Sequence, residues 1–264
     1  MTTRDYSTIS PSARAVLALR SLSPELPLVR EAAELVLGHD ALAAEHARLQ
    51  GLVGWQMRLW HFVERYQSLD RLLAATGITT IVELAAGLSL RSIALARQHA
   101  VTYLDTDLPD LIETKRTLVE QLAVGPLVGS VTLRAMNALA DGELATAVDA
   151  LPAGPVAILN EGLLMYLDDA EQRRLAVSVH DVLARRGGVW INADIYLKTP
   201  ARMPPIGHDD RLREFLVTHR VEDHKFASFE AAEQLFTEAG FAITRREGAS
   251  PIRQTWMLEP SRRS

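Results

Sequence analysis

The chain has no cysteine among its 264 residues, and this absence excludes three kinds of site. A protein without thiols forms no disulfide, offers no thiolate to a metal and has no cysteine nucleophile. Long apolar runs are also missing, since no stretch reaches the roughly 18 uncharged apolar residues of a membrane-spanning helix. The first residues, Met1 to Tyr6, lack the apolar centre of a secretory signal. We therefore expect a cytoplasmic protein with no membrane partner.

Positive charge is not in excess either. The net charge is −5, from 28 Lys and Arg residues against 33 Asp and Glu residues, and no basic block offsets it. A protein that binds nucleic acid needs a basic surface for the phosphates, so we expect no nucleic-acid partner. What the chain does have is a hydrophobic fraction of 48%, which is enough for a sizeable core.

The pattern of predicted elements changes near Gly77. Before it, apolar residues recur at helical spacing in residues 31–37, 41–48 and 56–75. After it, short apolar runs alternate with helical patterns, which is typical of a parallel sheet with helices on both faces. The runs that we predict as strands are residues 79–84, 101–104, 131–135, 156–159, 189–193, 241–244 and 255–258.

These elements predict an α/β fold: a Rossmann-like doubly wound sheet, mostly parallel with an antiparallel terminal strand, plus an N-terminal helical cap. We expect residues 1–77 to form the cap, packed on the core, and residues 78–264 to form the sheet domain. The connection at about 198–227 is long and carries a short helical pattern, so we predict an insertion on the substrate side. Capping boxes are predicted at Asp110–Glu113 and at Asp168–Glu171.

The turn after the first predicted strand is built from small residues, Glu83-Leu-Ala-Ala-Gly87. Such a turn lets a ligand lie close to the backbone and to the following helix N-terminus. The dinucleotide fingerprint needs glycine at three positions, and only Gly87 is present, which disfavours a nicotinamide-dependent oxidoreductase. Glu83 at the strand end suits a cationic amino group better than a phosphate. The alternative is an ordinary strand–turn–helix with a solvated glutamate.

Other polar residues follow the predicted strands, where ligands of open α/β sheets bind. Asp107 lies twenty residues after Gly87, the spacing of the acid that accepts ribose hydroxyls in nucleotide folds, and Asp105 competes with it. Asn137 offers an amide that would pair with an adenine edge, or it caps a turn. Glu161 interrupts an apolar stretch and needs a partner, either a ligand or a salt bridge in the core.

Three motifs taken together resemble the leucine carboxyl methyltransferase family. They are Glu83-Leu-Ala-Ala-Gly87, Asp107-Leu-Pro109 followed by Lys115-Arg116, and Glu161-Gly-Leu-Leu-Met-Tyr-Leu167. More closely, the chain is similar to the bacterial branch that includes the tetracenomycin polyketide O-methyltransferase, from about residue 50 to the end. The resemblance implies a class I methyltransferase fold with S-adenosyl-L-methionine as the cofactor.

The resemblance also implies which residues bind the cofactor. Arg65, in the helix before the first strand, matches the arginine that holds the methionine carboxylate. Glu83 and Glu161 would lie near the amino group, and Ala85 and Gly87 near the amino-acid part. Asp107 would accept the ribose hydroxyls, and the neighbouring Leu108 is also expected to contact the cofactor. Asn137 and Ala138 fall at the adenine, where the family usually has Asp-Leu.

The predicted function is O-methylation of a small secondary metabolite, on a polyketide-like hydroxyl or carboxylate. Alternatives are an N-methyltransferase of a small molecule and a non-catalytic module that binds the cofactor or another protein. The partner we expect is a small-molecule acceptor, with a homodimer left open and no metal. A hydroxyl acceptor needs a general base, whereas a carboxylate does not. The catalytic residue is not identified; the candidates are Tyr166, His208 and His224, with Asp194, Tyr196 and Asp209 also near the expected acceptor side.

Overall fold

The computed structural model describes residues 7–198 and 209–261. Its sheet consists of β1 (Thr80–Leu84), β2 (Thr102–Asp107), β3 (Ser130–Ala135), β4 (Val156–Asn160), β5 (Gly188–Tyr196), β6 (Phe241–Ser250) and β7 (Arg253–Pro260). The helices are α1 (Ser10–Arg20), α2 (Val29–Leu37), α3 (His39–Gln50), α4 (Trp55–Ala74), α5 (Arg91–Gln98), α6 (Pro109–Leu122), α7 (Glu143–Asp149), α8 (Asp169–Arg186), α9 (Asp210–Thr218) and α10 (Phe229–Glu238). Short 3-10 helices cover Ser7–Ile9 and Leu164–Tyr166.

The seven strands form one sheet in the order β3-β2-β1-β4-β5-β7-β6. The first five are parallel, and β7 runs antiparallel to both β5 and β6. The predicted fold class is therefore confirmed. The strand order reverses beside β1, where Glu83 lies opposite Asp105 and Leu84 lies opposite Asn160. The carboxyl ends of these strands thus meet at one edge, which is where ligands bind in such sheets.

Both faces of the sheet are covered, as a parallel sheet requires. Every residue of β1 and β4 is buried. On one face Val82, Ile158 and Trp190 pack in a cluster with α7, α8 and α10. On the other face Ile81 and Leu159 pack against α4. This two-sided burial holds the strand ends at fixed positions, and it therefore fixes where the following loops begin.

The N-terminal helices share a second cluster with the helices that follow β1 and β2. Leu17 of α1 and Val29 of α2 belong to it, together with Ile93 of α5 and Leu118 of α6. The helix α4 joins both clusters, since its Val63 and Tyr66 belong to this one and its later residues pack on the sheet. This arrangement brings α1 and α4 to the edge where the strands end. The division of the chain at residue 77 into cap and sheet domain stays a prediction.

Local signals differ in how well they mark the helix ends. The capping box at Asp168 and Glu171 is confirmed, with hydrogen bonds of 2.9 and 3.0 Å. The one predicted at Asp110 is wrong, because α6 begins at Pro109 with Leu108 as its N-cap. Proline at the first helical position needs no hydrogen bond of its own. Among the described residues, no helix has the length and apolar character that crossing a membrane requires.

Candidate functional site

A cavity of about 1650 Å³ opens at the carboxyl edge of the sheet. Its wall comes from the loops after β1, β2, β3 and β4 and from α1, α4 and α9. All nine residues that we predicted to bind a cofactor line it: Arg65, Glu83, Ala85, Gly87, Asp107, Leu108, Asn137, Ala138 and Glu161. The structure therefore brings together segments that are separated by up to about a hundred residues in the chain.

The catalytic candidates are divided by the structure. Tyr166 lines the cavity, and so do Tyr196 and Asp209. His208 lies outside the described residues. The structure does not bring His224 to the cavity wall, because this residue is buried with its Nδ1 3.3 Å from the Met165 carbonyl oxygen.

The glycine turn is tied to the next strand by Asp107. The backbone at Ala85 and Gly87 has φ angles of 49° and 52°, in the left-handed region that glycine adopts most readily. The Asp107 carboxylate accepts the Gly87 N–H and the Leu108 N–H, each at 2.7 Å. Burial raises the pKa of this carboxyl, and the two hydrogen bonds oppose that rise. A carboxylate has about four lone-pair sites, so Asp107 keeps the capacity to accept further hydrogen bonds from the cavity.

Asp105 faces away from the cavity. It is fully buried, 2.9 Å from Lys115 Nζ, and its carboxylate accepts the Ser92 hydroxyl at 2.6 Å. It is absent from the cavity wall. Of the two acids after Gly87, Asp107 is thus the one that a ligand in the cavity would meet.

Glu161 is surrounded by arginines. Its carboxylate accepts hydrogen bonds from Arg20, from Arg65 Nε at 2.8 Å and from Arg91 Nη2 at 3.2 Å. Burial alone would raise the pKa of this carboxyl, but the three guanidinium groups hold it well below its usual range. Glu161 is therefore ionised at neutral pH. It forms salt bridges in the core and also lines the cavity.

Arg91 connects Glu161 to two further acids. It donates to Glu83 and, through Nε at 2.5 Å, to Asp70, and its guanidinium carbon lies 3.9 Å from the centre of the Tyr66 ring. Glu83 also accepts the Tyr103 hydroxyl at 2.6 Å and is buried, so it is not a solvated glutamate. We call this set, Arg20, Arg65 and Arg91 with Asp70, Glu83 and Glu161, the arginine cluster.

The sequence analysis did not identify three members of the arginine cluster, which all lie on helices: Arg20, Asp70 and Arg91. Arg20 ends α1 and Arg91 begins α5, and both are nearly fully buried. In the sequence, each arginine is only a basic residue among apolar ones. Such a residue more often lies at the surface, with its aliphatic stem buried and its charge in water. Because buried charges are normally paired, their partners on other elements decide their role.

A second hydrogen-bonded group lies beside Arg65 at the cavity wall. The Tyr196 hydroxyl lies 2.8 Å from His61 Nε2 and accepts a hydrogen bond from Arg65 Nη1 at 3.2 Å. Burial and the nearby charges of Arg65 and Arg253 lower the pKa of His61 from 6.5 to about 3. His61 is therefore neutral at physiological pH. It lines the cavity and was missed because a single histidine on a helix carries no sequence signal.

Two acids near the cavity serve the architecture. Asp194 accepts the Gly162 N–H at 2.6 Å and the Leu163 N–H at 2.7 Å, so it fixes the loop that carries Glu161, and it does not line the cavity. Asp209 is the N-cap of α9 and accepts from Arg58 at 2.6 Å and from Arg48 at 3.2 Å. Neither carboxylate is free to take a proton from a substrate without loss of these bonds.

Asn137 caps a turn, which was the alternative to an adenine contact in the sequence analysis. Its Oδ1 accepts the Leu139 N–H at 3.0 Å, and its own N–H donates to Glu143 at 3.0 Å.

Within residues 7–198 and 209–261, no group of three or more His, Asp and Glu side chains is arranged to hold a metal ion.

The fold is shared with class I methyltransferases of known structure. The S-adenosylmethionine-dependent methyltransferase SibL in its apo form superposes with a TM-score of 0.55 at 15% identity, over 97% of this chain and 70% of that chain. The magnesium protoporphyrin IX methyltransferase of Synechocystis PCC 6803 with bound SAH gives 0.50 at 13% identity, over 76% and 85%. At these identities the likeness establishes the fold alone.

Sequence comparison gives the family. The family model of leucine carboxyl methyltransferase matches residues 27–180, more than half of the chain, and the chain belongs to this family. A protein of Mycobacterium marinum, named as a candidate S-adenosyl-L-methionine-dependent methyltransferase, is 29% identical over 159 residues. The match covers 59% of this chain and 49% of that protein, so the chain spans about half the length of this relative.

Proposed function

We propose that this protein is an S-adenosyl-L-methionine-dependent methyltransferase whose cofactor lies along the carboxyl edge of the sheet. The observation that carries the proposal is the convergence of the nine predicted residues on one cavity, in a chain of the leucine carboxyl methyltransferase family. In that arrangement Asp107 accepts the ribose hydroxyls. The loop with Asn137 and Ala138 lies beside the adenine.

The arginine cluster suits the amino-acid end of the cofactor. Arg20 and Arg65 line the cavity, and guanidinium groups bind a carboxylate through charge-assisted hydrogen bonds. Glu83 and Glu161 line the same part of the wall and favour a cationic amino group. When bound, the cofactor supplies a methyl group on a sulfonium, which is already activated for displacement. The chain then has to position the acceptor in line and exclude water.

The size of the cavity supports a second ligand beside the cofactor. Sites for one small molecule measure about 300–1,000 Å³, and this cavity measures about 1650 Å³. Its wall also includes apolar and aromatic side chains, among them Phe62, Met165, Phe215 and Ile252. We propose O-methylation of a small, largely apolar acceptor such as a polyketide-like secondary metabolite. The cations around His61 favour an acceptor whose reacting atom is an anionic oxygen, which supports O-methylation.

Calorimetric titration with two probes tests the cofactor site. S-adenosylhomocysteine carries the amino-acid part, whereas 5′-methylthioadenosine has the same nucleoside without it. We expect the wild type to bind both, and we expect Arg65→Met to weaken S-adenosylhomocysteine at least tenfold while 5′-methylthioadenosine changes little. The control is Arg71→Met, on the same helix but half exposed, with unchanged affinities. No binding of either probe to the wild type would refute the proposal.

A further inference from the structure

The hydroxyl of Tyr196 is held at the cavity wall beside the arginine cluster. Tyr196 and His61 both line the cavity, and each is largely enclosed by protein. Arg65 joins this hydroxyl to the arginine cluster, since its Nε donates to Glu161 and its Nη1 donates to the Tyr196 oxygen. A hydroxyl that is held from two sides by side chains of the same helix loses little further entropy when a ligand binds.

Four cations lie near this hydroxyl, and three of them are paired with acids: Arg20 and Arg65 with Glu161, and Lys225 with Glu222. The cations that lower the pKa of His61 are Arg65, Arg253, Lys225 and Arg20. Arg253 is fully buried, and within the described residues its Nε and Nη2 have no hydrogen-bond partner. The nearby acids are already engaged: Glu161 by three arginines, and Asp194 by the loop amides and by Asn160 at 2.8 Å. An anionic ligand is therefore favoured here.

His61 decides in which direction the Tyr196 proton points. If His61 carries its hydrogen on Nε2, it donates to the Tyr196 oxygen, as Arg65 does, and the Tyr196 O–H is directed to the ligand. If the hydrogen is on Nδ1, the Tyr196 O–H donates to His61 instead. A neutral imidazole has one donor and one acceptor nitrogen, so these two arrangements are alternatives. With Arg65 and Arg253 nearby, the first serves an anion.

We propose that Tyr196, oriented by His61 and Arg65, donates a hydrogen bond to an anionic oxygen of the methyl acceptor, either a carboxylate or an ionised phenol. The inference rests on the proposed function and deepens it. The acceptor enters the reaction deprotonated. Its oxygen forms the bond to the methyl carbon while the carbon–sulfur bond breaks and the sulfur keeps the electron pair, so no proton moves. Tyr196 is then the residue that touches the acceptor, and His61 is a positioning residue.

Two naphthalene probes test this assignment on the complex with S-adenosylhomocysteine. Naphthoate carries a carboxylate and naphthol a phenol, and binding is measured by calorimetry from pH 6 to pH 9. We expect Tyr196→Phe to weaken naphthoate about 10- to 100-fold, as for a hydrogen bond to a charged group, with S-adenosylhomocysteine affinity within about threefold. Binding of naphthoate at all pH values indicates a carboxylate acceptor. Binding of naphthol that strengthens only as the phenol ionises indicates a phenolate.

The possible results distinguish a failure of the Tyr196 assignment from a failure of the proposed function. If the wild type binds S-adenosylhomocysteine but neither naphthalene probe, or if Tyr166→Phe rather than Tyr196→Phe removes probe binding, the assignment of Tyr196 is overturned. If S-adenosylhomocysteine itself does not bind, the proposed function fails instead. A readout that needs no acceptor is the ¹⁵N spectrum of His61. The hydrogen on Nε2 is expected, and a hydrogen on Nδ1 overturns the proposal.

The positioning role of His61 is tested by a conservative pair of variants. Glutamine offers an amide N–H near the position of Nε2, whereas leucine fills the space without a donor. We expect His61→Gln to retain naphthoate binding within about fivefold and His61→Leu to lose as much as Tyr196→Phe. If both variants lose naphthoate affinity equally, or both retain it equally, His61 has no hydrogen-bonding role and contributes only packing.

Discussion

The two sides of the cavity are held together in different ways. On the strand side, Asp107 and Asn137 bond to the backbone N–H groups of their own or the adjoining loop. On the helical side, Arg20, Arg65 and Arg91 bond to acidic side chains that come from β1, from α4 and from the loop after β4. Side-chain to backbone bonds fix a loop locally, whereas charged pairs between distant elements tie the whole fold to the site.

This difference predicts different consequences of mutation. A change on the strand side should mainly alter ligand affinity, because the sheet holds the loops in place. A change in the arginine cluster should also alter folding stability, because a buried charge that loses its partner is costly.

The largest effect is expected from Arg91→Met. This residue is 1% exposed, pairs with Asp70, Glu83 and Glu161, and covers one face of Tyr66. Its removal leaves Glu83 without its cation, which should cost about 3–5 kcal/mol of unfolding free energy. Urea denaturation measures the loss. Arg71→Met, in a half-exposed pair, should cost less than about 1 kcal/mol, and equal losses in the two variants would contradict the comparison.

The second effect is a pH dependence from His61. Its folded pKa of about 3 lies below the ordinary value of 6.5, so between these values the unfolded chain binds a proton that the folded chain does not. The stability from the neutral ring is present above pH 6.5 and is lost as the pH falls. Relative to His61→Gln, the wild type should lose about 1.4 kcal/mol per pH unit below 6.5.

Paired urea titrations of the wild type and His61→Gln from pH 7.5 to pH 4.5 measure this slope. The difference between the two proteins isolates the histidine, because the carboxyl groups titrate in both. A difference that stays constant across this range would mean that His61 is solvated and free to protonate. That result would also weaken the electrostatic case for an anionic acceptor.

On the strand side, Asp107→Ala should weaken S-adenosylhomocysteine and 5′-methylthioadenosine alike. Both probes carry the ribose, and a loss of at least tenfold, about 1.4 kcal/mol, is expected for hydrogen bonds to a charged acceptor. This contrasts with Arg65→Met, which should separate the two probes. Asp110→Ala, an exposed acid on the next helix, is the matched control. Unchanged affinity for both probes would remove Asp107 from the ribose site.

The same contrast explains what could be predicted from the sequence. The sheet and its terminal antiparallel pair follow from apolar runs and turns that are local. The cavity residues after the strands, such as Asp107 and Glu161, were found because ligand residues of this fold follow strand ends. Family resemblance then added Arg65. Each of these signals lies within a few residues of the element that positions the side chain.

The partners of those residues could not be predicted in the same way. Arg20 lies 141 residues from Glu161, and His61 lies 135 residues from Tyr196, so no local pattern relates them. The capping box at Asp110 failed for a different, local reason, because Asp107 and Pro109 already complete the start of α6. A pair between distant elements is decided by packing, and the sequence pattern records only that each helix has a polar residue at that place.

The smallest effect is expected at Asn137. Its side-chain oxygen is committed to the Leu139 N–H, so we expect any adenine contact in this loop to come from the backbone. Asn137→Ala should change the dissociation constant of S-adenosylhomocysteine by less than about threefold, or about 0.7 kcal/mol, measured by calorimetry beside Asp107→Ala. A tenfold loss would mean that the amide reads the adenine edge. In that case the strand side, like the helical side, would depend on individual side chains for its ligand, and the contrast between the two sides would hold for folding but not for binding.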